Sequence, residues 1–274
     1  MMIMIDKVIP QEEMKQMMLD ILQEIHAFCE NNGLRYYLAF GTMIGAIRHK
    51  GFIPWDDDID LWMPRPDYER FMKEFRHPYM QVLSMYTDPN YPLEFMKVHD
   101  CRTIVKEEGG DGNWGIFVDI FPFEGIPNEK VWRKRFKKVV AIRHLIANQR
   151  FTWKYKISEG HNLSKKAAIF FGKCLHPFIQ LNSLLRWQDR TIKKYDFNQC
   201  DFMCDYTAVP SKYPPLFAPK EKILDRILMD FEGRQFYGPK EYDFFLKHLY
   251  GDYMKLPPKE KQVSLHGSIA YWKS

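Results

Sequence analysis

A chain of 274 residues with 46% hydrophobic composition is long enough to bury a substantial core, which excludes a disordered or low-complexity protein. Its net charge of +5 is modest, and no window of about 18 apolar residues occurs, because Lys173, His176 and Pro177 interrupt the best stretch. The first residues, Met1-Met2-Ile3-Met4-Ile5-Asp6, have no basic segment and no long apolar run, so export is not expected.

In chain order, Met14, Met17, Met18, Ile21, Leu22, Ile25 and Phe28 recur at helical spacing and predict a long amphipathic helix over 11–31, stopped by Asn32-Gly33. A short buried strand follows over 35–40, then a Gly41-Thr42 turn and a short helix over 43–48. Asp56, Asp57, Asp58 and Asp60 come next, four aspartates within five residues. Their mutual repulsion calls for solvent or a cation. A strand is predicted over 58–63, with Asp56, Asp58 and Asp60 on one face and Ile59, Leu61 and Met63 on the other; Pro64 and Pro66 limit it, and a helix over 67–75 follows.

Strand character returns over 80–85, 95–99 and 103–106, before a turn at Gly109-Gly110-Asp111-Gly112. The clearest later strand spans 116–121, bounded by Pro122, and carries a lone Asp119 in an apolar run. A carboxylate in that setting is costly unless it is paired or binds a metal. After Pro127 the pattern becomes helical, and residues 130–156 hold ten Lys or Arg and no Asp or Glu, interleaved with aromatics. Such a segment suits an anionic surface, and peripheral contact with a membrane is one expectation; no nucleic-acid reading motif accompanies it, so nucleic acid is not expected as a partner. A polar patch over 158–164, more helix to about 195, a proline-rich stretch, a strand over 227–231 and a helix over 240–249 complete the chain. The expected organisation is α+β: a mixed sheet flanked by helices over residues 1–128, and a largely helical region over 129–274 packed upon it.

The five cysteines are scattered without a repeated CxxC pair, which fits reduced thiols in a cytoplasmic protein. Cys200 and Cys204 alone do not make a zinc site.

The chemistry concentrates in two places. Gly41 permits close backbone approach to a phosphate, Thr42 offers a hydroxyl, and the following helix N-terminus favours an anion. Asp58 and Asp60 project side by side and suit Mg²⁺ or Mn²⁺, with Asp119 as third ligand from another strand. This combination resembles the nucleotidyltransferase fold. More closely, the run from Gly41 through Arg48, His49 and Lys50 to Trp55-Asp56-Asp57-Asp58-Ile59-Asp60 resembles the LicD family, which includes bacterial phosphocholine transferases and is related to the fukutin and fukutin-related transferases of animals. Phe231-Glu232-Gly233, the Tyr250-to-Pro258 run and His266 are similar to that family's C-terminal signature.

The resemblance implies metal-dependent transfer of a phospho-alcohol, such as phosphocholine, from a CDP-linked donor to a hydroxyl of a cell-surface glycan or glycolipid. It implies that Asp58, Asp60 and Asp119 hold the metal, with Asp119 completing the site or serving as base. It also implies that Gly41, Thr42, Arg48, Lys50 and His266 contact the donor; the thiols and the basic segment set the expected location in the cytoplasm or at the inner face of the membrane. Two other readings share the fold: nucleotidyl transfer to a small molecule, and a non-catalytic glycan- or membrane-associated protein. Costly carboxylates kept together at three positions argue against the last.

Overall fold

The computed structural model describes residues 5–106, 114–151, 170, 180–207, 216–264 and 267–273. The Gly109–Gly112 turn, the polar patch over 158–164, Pro210, Pro214, Pro215 and His266 lie outside the described residues.

The α+β class is as expected. Strand β1 (Ile5–Ile9) leads into α1 (Gln11–Asn32), which buries Met14, Met18, Leu19, Ile21, Leu22, Ile25 and Cys29 along one stripe. Glu12 and Glu13 sit in its first turn, where carboxylates complement the helix dipole. Gly33 ends it in the left-handed region at φ 63°, with its N–H turned back to the carbonyls of Cys29 and Glu30.

The predicted strand over 35–40 contracts to β2 (Tyr37–Leu38), because the chain turns into α2 (Phe40–Ile44) at once. The main sheet then takes β3 (Asp60–Pro64), β4 (Met80–Leu83), β5 (Met96–Asp100) and β7 (Phe117–Ile126) in the order β2-β3-β7-β5-β4. Helix α3 (Arg65–Glu74) links β3 to β4. β3 and β7 run parallel; the other neighbours are antiparallel, so the sheet is mixed.

This central placement buries Trp62, which alternation sets on the same face as Asp60, together with the expected packing face. Leu61, Trp62 and Met63 are all buried, as they must be in a parallel pair covered on both faces. Trp62 donates its Nε1–H to an Asp205 carboxylate oxygen at 3.1 Å, satisfying the indole in the core. Pro122 does not end its strand either. It falls between Ile120, the last residue paired with β5, and Glu124, the first paired with β8 (Phe202–Cys204), where no ladder donor is needed.

Residues after 128 add helices α4 (Glu129–Phe151), α5 (Leu181–Ile192), α6 (Glu221–Leu224) and α7 (Tyr242–Tyr250). They also supply the strand expected over 227–231 and, among the described residues, further strands that pattern reading did not anticipate. β8 pairs with β7 and with β9 (Phe217–Pro219), and β12 (Ile269–Lys273) lies between β1 and β6 (Thr103–Lys106). β10 (Arg226–Phe231) and β11 (Arg234–Pro239) form a hairpin closed by Glu232 and Gly233, both at positive φ (51° and 71°), as a type I′ turn requires. A buried ionic cluster of Arg65 with Glu124 and Asp189 ties α3, β7 and α5 together. No helix among the described residues is long and apolar enough to cross a membrane.

Candidate active site

The acidic run and the C-terminal segment meet around one cavity of about 540 Å³. Phe40, Gly41, Ile44 and Arg48 contribute from α2 and the π-helical turn Gly45–His49 that continues it. Asp56, Asp58 and Asp60 line the opposite wall with Trp55, and Phe121 reaches in from β7. Tyr250, Asp252, Tyr253, Lys255 and Pro257 close the remaining side.

Gly41 lets the aspartate run approach the helix start closely. A Cβ there would meet an Asp56 carboxylate oxygen at 2.6 Å, so the aspartate run lies directly against the helix start. Phe40 precedes it at φ 41°, a strained conformation for a bulky residue and of the kind that gathers at functional sites. Its ring is held edge-on to Trp62 and Phe121.

Asp60, Asp119 and Lys97 form a row across three adjacent strands. Asp60 on β3 is the register partner of Asp119 on β7, and Asp119 is in turn the partner of Lys97 on β5. The Lys97 ammonium donates to both oxygens of Asp119, at 2.6 and 3.0 Å, and sits 3.3 Å from the centroid of the Phe117 ring. Lys97 is only 3% exposed and Asp119 7%. Burial and the negative charges of Asp58, Asp119 and Asp56 together push the Asp60 carboxyl well above the usual range, with Lys97 opposing them.

Arg48 is half-buried, and it donates to the Tyr253 carbonyl at 2.6 Å and to His49 Nε2 at 2.9 Å. Burial, reinforced by Arg48, lowers the His49 pKa, which keeps the ring a neutral acceptor for that bond. Arg48 makes no ion pair among the described residues, so the cavity keeps a cation facing its carboxylates.

Residues 33–146 match the family model for LicD/FKTN/FKRP, nucleotidyltransferase domain. The chain is 35% identical over 267 residues to the lipopolysaccharide cholinephosphotransferase LicD of Haemophilus influenzae, covering 94% of this chain and 97% of that protein. The chain belongs to the LicD family. It is a transferase of the LicD type. Shorter similarities, 28% identity over 79 residues and 26% over 83, join it to uncharacterised proteins of Rickettsia typhi and Rickettsia prowazekii; they cover 29% and 30% of this chain and 23% and 28% of those proteins.

Within this LicD-family site, the residues singled out from sequence divide. Gly41, Arg48, Asp58 and Asp60 line the cavity. Thr42 is buried beneath it, and its hydroxyl accepts the Asp60 backbone N–H at 2.8 Å. Its position is in the first turn of α2 rather than in a separate turn, and it fixes the start of β3. Asp119 lies behind Asp60, held by Lys97. Lys50 is exposed, stands outside the cavity and caps the π-helical turn at φ 61°. Asp58 lies in the loop before β3, so loop geometry, not strand alternation, brings it beside Asp60.

Lys97 went unrecognised in the LicD-type sequence. Its signal was a lysine inside the apolar run Phe95–Val98, opposite the other lone charge on a buried strand. The C-terminal signature reaches the cavity, which Tyr250, Asp252, Tyr253, Lys255 and Pro257 line. The Phe231-Glu232-Gly233 block acts from outside. Glu232 accepts the Phe52 N–H at 2.9 Å and donates its own N–H to the Lys50 carbonyl at 2.9 Å, clamping the loop that delivers Trp55 and the aspartates.

The family resemblance implies a divalent ion, and the donor set of this cavity suits one. Asp58 and Asp60 share one cavity, and the excess negative charge that raises Asp60 is what a cation would relieve. Among the described residues no three His, Cys, Asp or Glu side chains come together as a complete metal site. Two carboxylates nonetheless fit Mg²⁺, which takes its other ligands from substrate phosphates and water.

The Glu232 clamp gives a direct expectation. Glu232→Ala lowers turnover by roughly tenfold to a hundredfold through misplacement of the aspartate loop, with little change in thermal unfolding. Glu232→Gln, which keeps the acceptor oxygen, restores most of the rate. Wild-type turnover in Glu232→Ala would remove the clamp from the account.

Proposed function

We propose that this LicD-family enzyme transfers phosphocholine, or a closely related phospho-alcohol, from a CDP-linked donor to a hydroxyl of a cell-surface glycan such as lipopolysaccharide. The observation that carries the reading is the composition of the cavity that holds the aspartates. Paired carboxylates, two cations (Arg48 and Lys255) and the aromatic rings of Trp55, Phe121, Tyr250 and Tyr253 all face one space. Aromatic faces attract a quaternary ammonium, and cations attract a diphosphate. The name of the Haemophilus influenzae relative points to the same group.

In this reading the acceptor oxygen bonds to the phosphorus that carries the alcohol. The bond from that phosphorus to the CMP phosphate oxygen breaks, CMP leaves with the electron pair, and the hydroxyl proton is lost. Arg48 and Lys255 hold the phosphate oxygens, and Gly41 lets the donor lie close to the start of α2. Asp58 and Asp60 would hold Mg²⁺ or Mn²⁺, which when bound neutralises charge on the transferring phosphoryl group. Asp119 is assigned a positioning role behind Asp60, because both its oxygens already accept from Lys97.

The test is release of CMP from CDP-choline, CDP-ethanolamine, CDP-glycerol and CDP-ribitol, with Mg²⁺ or Mn²⁺ and a surface-glycan extract as acceptor. The expected result is metal-dependent CMP release with CDP-choline preferred. Silence on all four donors, together with pyrophosphate release from a nucleoside triphosphate, would replace the reading with nucleotidyl transfer.

A further inference from the structure

A second cleft, of about 450 Å³, opens between α4 and the end of α5, and its lining has a different character. Lys134, Arg135 and Lys138 face it from α4, and Arg190 and Lys194 from the other side, with Tyr195 beside them. Five cations thus share a space with no carboxylate in its lining. The neighbouring acids are engaged elsewhere: Glu129 with Arg133, and Asp189 with Arg65 and Lys193.

Helix dipoles explain part of this arrangement. Arg190 and Lys194 lie at the C-terminal end of α5, where positive charge is favourable. Lys134, Arg135 and Lys138 lie beyond the first turn of α4, where the helix dipole gives them no such support. Arg135 is anchored by its bond to the Thr191 carbonyl and stacks over Tyr195 at 4.7 Å, yet its Nε–H is buried with no hydrogen-bond partner. Lys134 and Lys138 make no ion pair among the described residues. Like charges kept together around a concave space call for an anion that brings several acceptor oxygens.

We propose that this cleft is a binding site for a phosphate ester, separate from the cavity that holds the aspartates. Its ligand chemistry is a phosphate or diphosphate group, carried either on a lipid headgroup in a bilayer or on a free phosphorylated molecule. The proposal does not depend on which phospho-alcohol the enzyme transfers.

The test uses the full chain and two exposed positions, Lys134→Glu with Lys138→Glu, against Lys137→Glu as a control that reverses charge on the same helix but outside the cleft. Affinity for inorganic pyrophosphate is measured by calorimetry, and binding to phosphatidylglycerol-containing vesicles, with pure phosphatidylcholine vesicles as reference, by flotation. Pyrophosphate affinity is expected to fall by roughly tenfold or more in the double variant, equivalent to about 1.4 kcal/mol, and to change little in Lys137→Glu. If flotation with phosphatidylglycerol is lost in the double variant alone, the phosphate is that of a lipid headgroup. If pyrophosphate binds through the cleft and vesicles do not, it belongs to a free ester. Undiminished binding of both probes in the double variant, or equal loss in Lys137→Glu, overturns the site.

Discussion

Asp58→Asn is expected to reduce CMP release by roughly 10³-fold while leaving the fold intact, a loss of the size seen when one preorganised electrostatic contact is removed from a reacting centre. The amide has nearly the volume of the carboxylate, and Asp58 lies in the loop ahead of β3, outside the buried core. What changes is charge. Asp58 is the neighbouring carboxylate that contributes most to raising Asp60, so its neutralisation relieves repulsion in the resting protein. Stability to urea should therefore be equal or slightly higher, within about 0.5 kcal/mol, the ordinary range for a substitution outside the core. An enzyme that loses turnover without losing stability would place Asp58 in the chemistry. Wild-type turnover, or an unfolded variant, would remove it from the site.

The parts of the fold legible in the sequence were those with a long or local signal. Helix α1 declares itself over about four turns of apolar spacing and a glycine stop, and the start found in the structure, Gln11, is the one the pattern predicts. The aspartate run and Gly41 were legible because charge density and a missing side chain are local properties. Trp62 was not. Strict alternation places it on the aspartate face, but parallel pairing with β7 buries it, and pairing depends on a strand more than fifty residues away. The same limit hid Lys97. A lysine in an apolar strand becomes intelligible only when the register sets it opposite Asp119. Lys50 shows the reverse case: it lies two residues beyond Arg48, yet it caps the π-helical turn and is not among the residues lining the cavity, which Arg48 lines. Sequence proximity to a motif and orientation toward a site are different properties.

That row of Asp60, Asp119 and Lys97 makes Lys97→Met the most damaging single substitution expected outside the cavity. Methionine approximates the length of the lysine stem and keeps its packing against Phe117, so the change is mainly removal of the ammonium. Asp119 then remains 7% exposed without the cation that binds both its oxygens. Breaking a buried pair from one side typically costs about 3 kcal/mol or more, to be read from urea denaturation. Turnover should also fall, since Lys97 is the positive charge that offsets the repulsion on Asp60. A double-mutant cycle separates the two effects. Adding Asp119→Asn to Lys97→Met takes away the uncompensated charge and should recover much of the stability, whereas turnover stays low because the row behind Asp60 no longer holds its charges. Recovery of both together would make the pair a structural clasp alone. A single variant as stable as the parent would mean that Asp119 finds its compensation elsewhere, and the row would lose its place in the account of the site.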